Sequence, residues 1–131
     1  MTKCQRGYQQ HKGRCISIDK LIKKVGKNVG YENLFNGNCS AFAVGLKEVI
    51  GRGKLVGVVE ENEPGYTHIG IKIDDFYYDG DGKSTKRELM GNDSDKLVEG
   101  LSELDVLNNT NPRYFKSPEY FEKQIRKEMD R

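Results

Sequence analysis

The sequence predicts an α+β fold in which one helix packs on a small antiparallel sheet and further helices flank it. Two patterns carry this prediction. Residues 39–50 place apolar side chains every three or four positions, which is typical of a helix that buries one face. Residues 67–73 and 76–79 are β-rich runs separated by Asp74-Asp75, which is the pattern of a two-stranded hairpin.

The length and charge of the chain bound its organisation. Its 131 residues suit one domain, and we expect a basic irregular arm over residues 1–15 followed by a single domain over 16–131. The net charge of +2 divides into +8 over residues 1–59 and −6 over residues 60–131. A basic arm can bind nucleic acid or an acidic partner. A solvated N-terminus that offsets the acidic half is the favoured interpretation, because no RNA- or DNA-binding motif accompanies the charge.

The N-terminus and the cysteine count bear on the compartment. No run approaches the roughly 20 apolar residues that a membrane-spanning helix needs, and the N-terminus lacks the apolar core of a secretory signal. The three cysteines, Cys4, Cys15 and Cys39, are an odd number, which argues against a disulfide framework. We therefore expect a cytoplasmic protein with reduced thiols and no membrane partner.

Helices are predicted at three further places along the chain. Residues 17–27 carry apolar side chains at helical spacing and end near a glycine. A short helix is expected at about 94–104. A terminal helix is expected at about 118–129, where Ser117 is a favourable cap and Pro118 suits the first turn. For the helix over 39–50, the preceding Asn38 is the expected N-cap.

The remaining apolar runs predict strands. Residues 54–60 are β-rich, and residues 61–65 form a turn before the alternating run 67–73. In that run Ile69, Ile71 and Ile73 occupy one face.

Cys39 is the strongest candidate for a reactive group. It opens the helix 39–50 and lies at the N-terminal tip of its buried face, with Phe42, Ala43 and Leu46 three, four and seven residues later. The positive end of the helix dipole and its free N–H groups favour a thiolate there. A thiolate is what a cysteine nucleophile requires.

His68 supplies the candidate base. It begins the alternating strand and lies on the face opposite to the isoleucines. If Asp74-Asp75 is a two-residue turn, residue 70 pairs with 79 and residue 68 with 81, so Asp79 and Asp81 both share the face of His68. Either carboxylate can accept a proton from the imidazole and fix its tautomer. The sequence therefore predicts a triad of Cys39, His68 and one of these two carboxylates, Asp79 or Asp81.

These residues resemble those of a known family. The run Asn38-Cys39-Ser40-Ala41-Phe42-Ala43 resembles the start of the catalytic helix in NlpC/P60 peptidases, and the run 68–73, HIGIKI, resembles their histidine strand. In that family a third polar residue follows on the next strand, about a dozen residues after the histidine. The resemblance therefore implies Asp79, eleven residues after His68, as the third member of the triad, with Asp81 as the alternate. The wider group is the papain-like cysteine hydrolases, in which a catalytic helix packs on an antiparallel sheet.

The resemblance also implies an oxyanion donor. Papain has a glutamine six residues before its cysteine, a position that Asn33 occupies here, with Asn36 and Asn38 as competing candidates. The backbone N–H of Cys39 is a donor that needs neither side chain.

The expected function is therefore cysteine-dependent hydrolysis of an amide or carboxamide through an acyl-thioester. Peptidase, amidase and protein glutamine deamidase activities share this chemistry, and a protein or peptide substrate is expected. The alternative is a catalytically silent papain-like binding or effector protein that binds a protein or nucleic-acid partner. The resemblance implies no cofactor.

A metal site is not expected either. Cys4, His11 and Cys15 provide three ligands for zinc, whereas a structural zinc site needs four.

Overall fold

The computed structural model describes residues 3–31, 38–108 and 116–131, and these ranges form a mixed α+β fold. The helices are α1 (Ile18–Val29), α2 (Cys39–Ile50), α3 (Lys86–Met90), α4 (Glu103–Leu107) and α5 (Pro118–Met129). The strands are β1 (Tyr8–His11), β2 (Arg14–Ser17), β3 (Lys54–Val59), β4 (His68–Ile73), β5 (Phe76–Asp79), β6 (Gly82–Ser84) and β7 (Lys96–Leu101).

The main sheet is antiparallel, with five strands in the order β6-β5-β4-β3-β7. The predicted hairpin is confirmed, because Ile73 pairs with Phe76 across the two-residue turn. Both turn residues, Asp74 and Asp75, have positive φ values of 53° and 74°. Two left-handed residues make a turn whose twist matches that of the flanking strands.

Helix α2 has the predicted bounds and is the centre of the fold. One side packs on the sheet, where Leu46 and Ile71 are both 0% exposed. The other side packs on α5, where Phe42 and Phe121 make an edge-to-face ring contact with centroids 5.6 Å apart. Burial on both sides lets α2 set the position of the residue that opens it.

Gly45 explains how closely α5 approaches α2. A Cβ atom at this position would lie 2.8 Å from the carbonyl oxygen of Pro118 and 3.2 Å from the Cβ of Phe121. The absence of a side chain therefore allows the two helices to pack backbone against backbone. The sequence pattern does not predict this contact, because it requires knowing which helix lies against residue 45.

The sheet has a second, smaller apolar cluster on the face away from α2. Val56, Val58 and Leu89 of α3 form it, with Tyr77 and Leu97 at its margin. Directly opposed strand residues share a face, so the pairs Val56–Gly70 and Val58–His68 assign His68 to this second face.

The predictions for α1 and α5 are confirmed, with Ser17 and Ser117 as the capping residues. The prediction of a helix at about 94–104 is wrong. Residues 96–101 form β7, which pairs with β3, and only the short helix α4 follows, capped by Ser102. Gly100 has a φ of 74° beside an irregularity in the pairing, a backbone conformation that a helix does not contain.

The N-terminal segment also differs from the prediction. Residues expected to be irregular contain the hairpin β1–β2, and Cys4 forms a disulfide with Cys15. The expectation of three reduced thiols is therefore wrong, and it no longer supports a reducing cytoplasm. The expectation rested on the odd number of cysteines, whereas a disulfide requires two cysteines that are close in space. Cys15 lies in β2, Cys4 precedes β1, and their Cα atoms are 5.6 Å apart.

Polar contacts join this hairpin to the rest of the fold. The guanidinium of Arg52 donates to both carboxylate oxygens of Asp74 and to the carbonyl of Tyr8. At the other end, Arg14 donates to the carbonyl of Met129 in α5. Among the described helices, none is both long and apolar enough to cross a membrane.

Candidate active site

Cys39 occupies the first position of α2 and is partly buried. Asn38 is at the N-cap, as predicted, but its side chain makes no capping hydrogen bond. Its Oδ1 atom instead accepts a hydrogen bond of 2.9 Å from the backbone N–H of Lys116, just before α5. The side chain of Asn38 therefore does not bind the backbone N–H groups in the first turn of α2, where Cys39 lies.

His68 is brought to Cys39 at the end of the sheet. It is the first residue of β4, and its side chain is 25% exposed. The Nε2 atom lies 2.8 Å from Oδ2 of Asp79, at the end of the neighbouring strand β5. The side chain also hydrogen-bonds Cys39, and because Nε2 is engaged by Asp79, the Nδ1 atom is left for the sulfur.

The structure distinguishes between the two candidate carboxylates. Asp79 binds His68 through Oδ2, and its Oδ1 accepts a hydrogen bond of 2.8 Å from the backbone N–H of Asp81. Asp81 is exposed and contributes that backbone group. Asp79, with both oxygens engaged and only 12% of its side chain exposed, is therefore the carboxylate that orients the imidazole.

The electrostatics of the two reactive groups reinforce each other. Burial is the largest single influence and raises the pKa of the Cys39 thiol. The hydrogen bond and charge of His68, together with smaller hydrogen bonds from Ile69 and Ser40, act in the opposite direction, and the pKa lies below that of an ordinary cysteine. Hydrogen bonds to Asp79 and Cys39 raise the pKa of His68 to about 9, although burial acts in the opposite direction. Both shifts favour a thiolate–imidazolium pair near neutral pH.

Two contacts to the sulfur were not foreseen from the sequence. The Ser40 hydroxyl and the backbone N–H of Ile69 both hydrogen-bond Cys39 and lower the pKa of its thiol further. Ser40 could have been considered, because it adjoins the cysteine in the first turn of α2. The N–H of Ile69 has no sequence signal, since its contact exists only where β4 meets the tip of the helix.

The oxyanion candidates have different outcomes. Asn33 and Asn36 lie outside the described residues. Asn38 is 2% exposed, with its amide oxygen bound to the N–H of Lys116. The backbone N–H of Cys39, in the first turn of α2, is the donor that the described geometry supports best.

The residues weighed for zinc are engaged elsewhere. Cys4 and Cys15 are joined to each other, and His11 lies 2.7 Å from Asp130 at the end of α5. Within residues 3–31, 38–108 and 116–131, no group of three or more metal-ligating side chains converges on a point.

Comparison with known proteins finds no matching family model, no matching curated protein and no matching solved structure.

Proposed function

We propose that this chain is a cysteine-dependent hydrolase of the papain-like type, acting on an amide or carboxamide carbon. The observation that carries the proposal is the continuous hydrogen-bonded series from Cys39 through His68 to Asp79. A nucleophile, a base and an orienting acceptor in hydrogen-bond contact form the arrangement that nucleophilic catalysis requires.

The architecture supports the same proposal. A cysteine at the tip of a buried helix meets a histidine on the first residue of one strand and a carboxylate on the last residue of the next. This arrangement resembles the papain-like one, as does the order of the three residues along the chain. The local resemblance to NlpC/P60 peptidases adds to it, through the runs that contain Cys39 and His68.

In the first half of the reaction, the Cys39 thiolate attacks the carbonyl carbon and forms a carbon–sulfur bond. The electron pair of the carbonyl moves to oxygen, where the N–H groups in the first turn of α2 stabilise the negative charge. His68, as imidazolium, then gives its proton to the leaving amine or ammonia as the carbon–nitrogen bond breaks. An acyl-thioester on Cys39 remains.

In the second half, water attacks the thioester while neutral His68 takes one of its protons. The carbon–sulfur bond breaks, the acid product leaves, and the thiolate–imidazolium pair is restored. Throughout, Asp79 holds the imidazole in the tautomer that presents Nδ1 to the sulfur and stabilises its protonated form. Peptidase, amidase and deamidase reactions differ only in the amide that is attacked.

The test is alkylation of Cys39 by iodoacetamide near pH 6.5, followed by mass spectrometry. With the Cys4–Cys15 disulfide intact, Cys39 is the free thiol of the chain. We expect labelling much faster than that of free cysteine, and slow labelling in His68→Ala. The chain offers a matched control, because His11→Ala removes the only other histidine and leaves the site untouched.

Two outcomes would contradict the proposal. Labelling of the wild type no faster than free cysteine would indicate an inert thiol and favour the silent binding protein. An equal loss of the alkylation rate in His68→Ala and His11→Ala would show that the loss does not depend on the contact between His68 and Cys39. If His68-dependent labelling is found, turnover is measured with a mixture of denatured proteins as substrate. New amino termini would indicate peptidase action, and released ammonia would indicate deamidation.

A further inference from the structure

An aromatic side chain packs on the helix-facing side of the sheet, in the segment that leads into the strand of His68. Tyr66 lies in the connection between β3 and β4, two residues before His68, and its ring is partly buried against the main core. Its hydroxyl makes no hydrogen bond to any described residue. Within the described part of the chain, the ring is thus held by packing alone, and its hydroxyl has no hydrogen-bond partner there.

Gly57 provides the seat for this ring. A Cβ atom at position 57 would lie 2.5 Å from Cδ1 of Tyr66 and 2.9 Å from Cδ1 of Leu101. Such distances are too short for a real side chain, so the ring can lie against the sheet only because residue 57 is glycine. In the rest of β3, residues 55, 56 and 58 carry large apolar side chains.

The seat is next to the residue that binds the sulfur of Cys39. Gly57 is directly opposed to Ile69 in the pairing of β3 with β4, and opposed residues lie about 5 Å apart on one face. The N–H of Ile69 donates to Cys39. The ring and the sulfur are therefore on the order of 10 Å apart, a span that about three residues of an extended peptide cover.

We propose that Tyr66, seated on Gly57, is a specificity-determining residue that selects substrates with an aromatic or large apolar side chain close to the attacked amide. The proposal rests on the proposed hydrolase function, because it assigns the side chain that the same site recognises. A seated ring offers a flat apolar surface that loses little conformational freedom on binding. The substrate class that follows is a polypeptide segment with Phe, Tyr, Leu or a similar residue near the reacting group.

The test uses two alkylating probes with the same reactive group, N-benzyl-2-chloroacetamide and N-methyl-2-chloroacetamide. The ratio of their alkylation rates at Cys39 is divided by the ratio measured with glutathione, which removes their intrinsic difference. In the wild type we expect the benzyl probe to be favoured about three- to tenfold. Tyr66→Ala should abolish this preference, whereas Tyr66→Phe should keep it.

Two further variants make the test specific. Gly57→Ala leaves Tyr66 in the chain but displaces its ring, so it should also reduce the preference. Tyr77→Ala removes an aromatic residue from the opposite face of the sheet and should leave the preference unchanged. Melting temperatures of all variants show whether each one is folded.

The outcomes separate this inference from the function on which it rests. If the methyl probe labels Cys39 rapidly and the corrected ratio is the same in the wild type and Tyr66→Ala, the inference about Tyr66 is wrong and the hydrolase proposal stands. If the methyl probe reacts at Cys39 no faster than with glutathione, both proposals fall. A preference lost equally in Tyr77→Ala would also overturn the role of Tyr66.

Discussion

The Nε2 atom of His68 and the Oδ2 atom of Asp79 lie 2.8 Å apart and join the first residue of β4 to the last residue of β5. The two residues are held by the register of the hairpin, in which Ile73 pairs with Phe76, Lys72 with Tyr77 and Ile71 with Tyr78. Regular backbone pairing thus positions the proposed base and its acceptor on rigid strands, where their geometry varies little.

Asp79→Asn should slow alkylation of Cys39 by iodoacetamide at pH 6 by about tenfold, with little change in melting temperature. The hydrogen bond to Asp79 is the largest cause of the raised pKa of His68, so its loss leaves less imidazolium to stabilise the thiolate. Asp81→Asn is the matched control and should react as the wild type does, because Asp81 contributes a backbone N–H. If Asp81→Asn slowed alkylation and Asp79→Asn did not, Asp81 would be the carboxylate that orients His68.

The pH dependence of alkylation should report the thiolate directly. We expect the midpoint for the wild type to lie below that of an ordinary cysteine, because His68 lowers the pKa of the Cys39 thiol. In His68→Ala the midpoint should rise, because burial, the largest influence on the thiol, is then opposed only by the smaller hydrogen bonds from Ile69 and Ser40. A midpoint at or above about 8.5 in the wild type would mean that Cys39 is inert.

Between pH 6 and pH 9, the stability of Cys39→Ser should fall as the pH rises, because the pKa of His68 is raised in the folded state. A pKa that is raised on folding contributes stability that is complete below the unfolded pKa and is lost as the pH rises through the folded one. In this variant the hydrogen bond to Asp79, the largest cause of the raised pKa of His68, remains, so the contribution is complete below about 6.5 and declines as the pH rises above that value. Urea unfolding at pH 6 and pH 9 measures the loss, which should be absent when His68→Gln is added.

Leu46→Ala should destabilise the protein by about 2–5 kcal/mol, because the side chain is fully buried between α2 and the sheet. Lys47→Ala, one residue further along α2, should change the free energy of unfolding by less than about 0.5 kcal/mol. Chemical denaturation of both variants provides the comparison. Similar losses from the two would contradict the orientation of α2, and with it the placement of Cys39.

Opening the Cys4–Cys15 disulfide should lower the free energy of unfolding by about 2–3 kcal/mol, because it crosslinks residues only 11 apart. The double variant Cys4→Ser/Cys15→Ser, unfolded by urea, provides the measurement without reductant. Labelling of Cys39 should be unchanged, since the hairpin attaches to the turn at Asp74 and to the end of α5 rather than to the site. Loss of labelling would show that the hairpin supports the site.

Features that depend on neighbours in sequence were predictable. The bounds of α2 follow from apolar spacing and from Gly51, whose φ of 79° ends the helix in the left-handed conformation. The β4–β5 hairpin follows from strand alternation around a two-residue Asp turn. These patterns brought Cys39, His68 and Asp79 into one hypothesis, because helix tip and strand end are local positions.

What the sequence left open depended on contacts between distant segments. Hairpin register allowed both Asp79 and Asp81, and only the path of the chain after β5 assigns the carboxylate of Asp79 to His68. The sequence predicted a helix over residues 96–101, but in the structure these residues pair with β3 and form a strand. The contacts with β3 outweigh a weak local preference for helix. The sequence by itself determined the helix tip, the strand start and the chemistry of their residues; the tertiary structure decided which groups meet there, because hydrogen bonds form between atoms close in space whatever their separation along the chain.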